Sequence, residues 1–179
     1  MSPLGASWGI EPAEKNLGFA CDEVAGPFDA IYYRGVTVEA PPAAVFRWLC
    51  QLRAAPYSYD WIDNWGRRSP RQLTPGLENL TVGQTVMTIF TLIGFERDRH
   101  LTLRFKPGTL PARIFDVTVT YLIVPRSDGS CRLLGKLRVR HPRAPLGWLT
   151  KRFLPLGDLL MMRRQLLNLK RLAETVTSG

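Results

Sequence analysis

The sequence predicts a single α+β domain in which a curved antiparallel sheet wraps around a long C-terminal helix, with two short helices after the first strand. Three observations predict it. An early extended segment runs directly into a proline-opened amphipathic helix, a series of alternating strands follows at short spacing, and the chain closes on a long segment with apolar residues at steps of three and four. At 179 residues and 45% apolar content the chain suits one hydrophobic core. We expect an irregular N-terminal arm over residues 1–30 and the domain itself over 31–179.

Within the arm, Gly, Pro and isolated apolar residues such as Trp8, Leu17 and Phe19 show no sustained period. From Ile31 to Glu39 the pattern becomes extended, with Tyr32, Val36 and Val38 on one side and Tyr33, Thr37 and Glu39 on the other. Ala40-Pro41-Pro42 stops this strand, and proline is well tolerated in the first turn of a helix because its missing N–H would have no partner there. Val45, Trp48, Leu49 and Leu52 then mark one face of a helix from about Pro42 to Arg53. The stretch from Tyr57 to Trp65 can form a second short helix, with Tyr57, Trp61 and Trp65 on one face and Asp60, Asp63 and Arg67 on another.

Four strands are expected next, over Gln84–Phe95, Arg99–Lys106, Ile114–Val124 and Cys131–His141. In the last, Leu133, Leu137 and Val139 alternate with Arg132, Lys136, Arg138 and Arg140, as in a sheet with one dry and one wet face. Ser127-Asp128-Gly129-Ser130 makes the tight connection that requires antiparallel pairing. Pro155 separates a short apolar turn from a terminal helix beginning near Leu156. Its apolar stripe is Leu159, Met162, Leu166, Leu169, Ala173 and Val176, widened by Leu160 and Leu167.

Cys21, Cys50 and Cys131 lack the close spacings of metal or redox motifs, so no metal is expected and a reducing cytosol fits them. No segment approaches the ~20 apolar residues of a membrane span, and the first residues lack the form of an export signal. The net charge of +9 raises anionic partners. Arg104, Lys106, Arg132, Lys136, Arg138 and Arg140 form a basic sheet face. No aromatic residues are interleaved with them, so nucleic acid is not expected, and a weak anionic membrane contact beside Pro107, Leu110 and Pro111 is the better version of the idea.

The order of elements, and in particular the run Arg34-Gly35-Val36-Thr37-Val38-Glu39-Ala40-Pro41-Pro42-Ala43-Ala44-Val45-Phe46-Arg47-Trp48-Leu49 together with the closing helix from Leu156 to Val176, resembles the START-like (SRPBCC, helix-grip) superfamily. The bacterial polyketide cyclase/dehydrase-like and lipid-transport proteins are among its members. The resemblance implies a helix-grip fold with an internal cavity for hydrophobic ligands, and it does not by itself imply a reaction.

A ligand in such a cavity would meet Leu101, Leu103, Phe105, Val117, Val119, Tyr121, Leu133, Leu137 and Val139 from the strands, opposed by Met162 and Leu166. Gly135 lies on the same side and leaves space where a side chain would stand. Tyr57, Trp61 and Trp65 suit the rim, where a dry ring ends in a polar tip. The expected role is binding of a lipid-like or polycyclic small molecule without a cofactor. The alternative is a cyclase- or dehydratase-like enzyme with Asp60 or Asp63 as base and Tyr121 as proton donor, because an aspartate desolvated in an apolar cavity rises in pKa.

Overall fold

A computed structural model describes residues 5–59, 68–142 and 146–177. Its strands are β1 (Ser7–Trp8), β2 (Ala30–Val38), β3 (Thr85–Val86), β4 (Phe90–Glu96), β5 (His100–Phe105), β6 (Asp116–Pro125) and β7 (Cys131–Arg140). Its helices are α1 (Pro42–Cys50), α2 (Leu110–Ile114) and α3 (Leu146–Thr177). The strands form one sheet in the order β1-β2-β7-β6-β5-β4-β3. All pairings are antiparallel except β1 with β2. Helix α3 packs against β2 and α1, and the long chain excursion from α1 to β3 separates the first long strand from the rest.

Several expectations change in detail. The predicted strand over 84–95 is a hairpin, because Met87 and Thr88 take positive φ angles of 48° and 65° and turn the chain between β3 and β4. Tyr57, expected on a short helix, also has a positive φ, 57°, and lies in a bend. The rest of that segment, with Asp60, Trp61, Asp63 and Trp65, lies outside the described residues. The terminal helix begins at Leu146 and runs through Pro155, so one backbone hydrogen bond is forfeited without ending the helix.

The expected stripe is buried at Met162, Leu166, Leu169 and Ala173, but it widens on the other flank, through Gln165 and Leu172, whereas Leu160 and Leu167 are exposed. The outer face of the sheet is not simply wet either. The arm lies across it as two 3-10 turns, Pro12–Asn16 and Ala20–Glu23, and as β1. Phe19 and Cys21 make a second apolar cluster there with Leu122 and Leu134. Three of the strand cations hold the arm down. Arg132 pairs with Glu14 at 2.6 Å, Lys136 with Asp22 at 2.7 Å, and Arg138 donates to the carbonyls of Cys21, Asp22 and Val24.

Candidate functional site

The interior between sheet and helix is built in cross-strand rows, since residues paired across antiparallel strands point the same way. One row holds Tyr32, Leu137, Val119, Leu103 and Leu92, and the next holds Arg34, Gly135, Tyr121 and Leu101. Leu101, Leu103, Val119, Leu133, Val139 and Leu166 pack together in one core with almost no exposed surface. Exposure rises slightly toward the end of the sheet where β5 stops and β6 begins. Leu137 keeps 5% exposure, Val117 and Met162 keep 7%, and Phe105 and Phe115 are half-buried. The space expected beside Gly135 is occupied. A Cβ there would lie 2.9 Å from the Cε of Met162, so the glycine seats the helix against the sheet.

Set into this apolar wall is a polar group that the expected site did not include. Arg34, fully buried, donates from Nη2 to Asp158 Oδ2 of α3 at 2.6 Å, and from Nη1 to the carbonyls of Ala6 and Tyr33 at 3.0 and 2.8 Å. Beside it, the Tyr32 hydroxyl lies 3.3 Å from His141 Nε2. Burial pushes the Asp158 carboxyl up to about 6, against the opposing pull of Arg34, and pushes the Tyr32 phenol up to about 12. A carboxyl titrating near 6 exchanges a proton close to neutrality. Strand periodicity already carried part of this signal, because Arg34 lies between Tyr32 and Val36 on their side of β2. Asp158 precedes Met162 by four residues and Gln165 by seven, which places all three on one helical face.

Tyr121, the expected proton donor, is buried, and its hydroxyl donates to Gln165 Oε1 at 2.5 Å. The Gln165 amide in turn donates to the Pro56 carbonyl at 2.6 Å. This chain ties sheet, helix and the segment before Tyr57 together and already engages the phenolic proton. Tyr121→Phe leaves Gln165 Oε1 without its donor in a buried position. The expected loss is about 1–3 kcal/mol of unfolding free energy, read from urea denaturation. Tyr57 packs edge-to-face on Trp48 with ring centroids 6.0 Å apart, and its carbonyl accepts from Asn168 Nδ2 at 2.8 Å. It therefore supports α3.

Of the basic sheet face, Arg104 forms a two-bonded ion pair with Asp116, and Lys106 reaches Thr85. Leu110 is 71% exposed on α2. Among the described residues no group of three or more His, Cys, Asp or Glu side chains could hold a metal ion. Among them, too, no helix is long and apolar enough to cross a membrane.

A sheet curled over one long terminal helix, with a short helix directly after the first long strand, defines an α+β protein of the helix-grip class. Solved structures agree. The chain is similar to the hypothetical protein jhp0584 from Helicobacter pylori, at 15% identity and a TM-score of 0.56, over 88% of this chain and 95% of that one. It is similar to the di-domain ARO/CYC protein StfQ from the steffimycin biosynthetic pathway, at 11% identity and a TM-score of 0.53, over 83% of this chain and 52% of that one. It is also similar to protein CV1439 from Chromobacterium violaceum, at 14% identity and a TM-score of 0.51, over 83% and 99%. At these identities the similarity is one of fold. No protein-family model and no curated protein matches the sequence.

Proposed function

We propose that this protein binds an apolar small molecule, lipid-like or polycyclic, between the sheet and α3, with a polar group of the ligand turned toward Tyr32 and Asp158. The observation that carries this reading is a polar cluster of Arg34, Asp158 and Tyr32 set in an otherwise apolar wall between sheet and helix. Small-molecule sites are mostly apolar, with few polar groups that orient the ligand. The similarity to an ARO/CYC protein is compatible with a polycyclic ligand and supports no more than the fold that would hold it.

The test combines binding with stability. An anilinonaphthalene sulfonate probe should gain fluorescence with the wild-type chain, and native mass spectrometry of protein from its own host should show a co-purifying apolar molecule. Val117→Phe and Leu137→Phe fill the proposed space. They should abolish probe uptake at little cost in stability, whereas overpacking a closed core costs about 1–3 kcal/mol. Destabilisation of that size in both variants, with no probe uptake by the wild type, would remove the proposal.

A second reading, cyclase- or dehydratase-like chemistry in the same interior, is favoured by Asp158 rather than by Tyr121. A carboxyl held near 6 in an enclosed site can act as general acid or base at neutral pH. With a cyclisable substrate, Asp158→Asn should stop turnover while leaving probe binding intact. Turnover that survives this change would assign Asp158 to structure alone.

A further inference from the structure

On a face of α3 other than the one that carries Asp158, the helix and the stretches 57–59 and 69–71 line a groove of about 340 Å³. Its walls carry Arg71, Arg164 and Arg171, with the side chains of Ser58, Ser69 and Asn168 between them. Arg164, Asn168 and Arg171 are spaced i, i+4, i+7 and so share one helical face. Among the described residues none of these three guanidinium groups is ion-paired with a carboxylate, whereas Arg34, Arg47, Arg99, Arg104, Arg132, Lys136 and Lys170 all are.

Three guanidinium groups that line one groove without an ion-paired carboxylate among the described residues favour an anion there. The Arg164 guanidinium lies 5.9 Å from the centroid of the Tyr59 ring. The N–H fork of a guanidinium matches two oxygens of a phosphate. The hydrogen bond from Asn168 Nδ2 to the Tyr57 carbonyl fixes the two walls relative to each other. The volume lies in the range of small-ligand sites and exceeds what a bare ion fills.

We propose that this groove is an anion site that takes the phosphate group of a phosphorylated small molecule or of a lipid headgroup, held by Arg71, Arg164 and Arg171. The site is separate from the apolar interior and stands or falls independently of it.

Inorganic phosphate and pyrophosphate, titrated at low ionic strength into the full chain, should shift the arginine Nε–Hε resonances saturably. Arg164→Gln and Arg171→Gln should each weaken the affinity by about tenfold, the loss of one charge-assisted bond or slightly more. Arg99→Gln, which removes the same charge from a distant exposed site, should leave it unchanged. Flotation with phosphatidylglycerol vesicles, with phosphatidylcholine as control, separates the sources. Binding to the anionic vesicles with only weak response to soluble phosphate, lost in the same two variants, identifies the headgroup. No saturable response to either, or an equal loss in Arg99→Gln, overturns the site.

Discussion

Replacing Arg34 with methionine should lower the unfolding free energy at pH 7.5 by about 3–5 kcal/mol, the usual cost of leaving a buried charge without its partner. Arg34 is fully enclosed, and its guanidinium is the only cation ion-paired with Asp158 among the described residues. The variant retains the burial of the carboxyl and loses the attraction that offsets it. It also removes the donor for the Ala6 and Tyr33 carbonyls.

The same pair makes the loss depend on pH. The Asp158 carboxyl has a pKa of about 6 in the folded chain against an ordinary 3.8. Between those values the folded state keeps a proton that the unfolded chain has released, so the associated stability is complete below about 3.8 and is lost as pH rises through 6. Without Arg34 the carboxyl titrates higher still, and the deficit of Arg34→Met should grow between pH 4.5 and 7.5. Asp158→Asn carries no titrating proton. It should match the wild type at pH 4.5 and equal or exceed it at pH 7.5.

Glu14 acts with the opposite sign. Its burial is outweighed by the hydrogen bonds from Arg132 and from the Glu11 backbone, so its pKa is lowered and its contribution falls away in acid. It is common to all three proteins and cancels in the comparison. Urea titrations across this pH range test the pair. A deficit of Arg34→Met that stays flat with pH, or a loss of several kcal/mol in Asp158→Asn at pH 7.5, would show that attraction and not burial dominates it.

Gly9→Val should release the N-terminal arm from the sheet. Gly9 has a φ of +64°, and a Cβ at this position would lie 2.1 Å from the Gly35 carbonyl oxygen, a backbone atom that cannot move aside. The Gly9 carbonyl also accepts from Arg132 Nη2 at 2.6 Å, so the clash strikes one anchor of the arm directly. We expect a loss of about 2–4 kcal/mol, from backbone strain together with exposure of Phe19, Leu122 and Leu134.

Cys21 reports the release. It is buried under the arm and its thiol pKa is raised by that burial, whereas Cys50 and Cys131 belong to the main core. A thiol reagent followed by mass spectrometry should add one label, at Cys21, far faster in Gly9→Val than in the wild type. Gly18→Ala, where a Cβ meets nothing within 4 Å, serves as the neutral control. Equal labelling of all three cysteines would mean global unfolding, and an unchanged rate at Cys21 would mean that the arm is not held at Gly9.

The amino-acid sequence alone determined the elements whose signal is local and periodic. Alternation in β5, β6 and β7, the proline-opened helix α1 and the apolar closing helix were legible because period and end residues arise within one segment. Inward positions such as Leu101, Leu103, Val119, Leu133 and Leu137 followed from the same alternation, and each is buried.

Only the tertiary structure decided where segments distant in the chain meet. The arm covers a face whose arginines and lysine read as solvated, because their partners Glu14 and Asp22 lie more than a hundred residues away. Arg34 and Asp158 are separated by 124 residues, and neither alone marks a site; their meeting depends on the rotation of α3 about its axis. That rotation is set by packing, with Met162 seated on Gly135 and Gln165 bonded to Tyr121, and a helical stripe read from one strand of sequence leaves it open by the width of a residue.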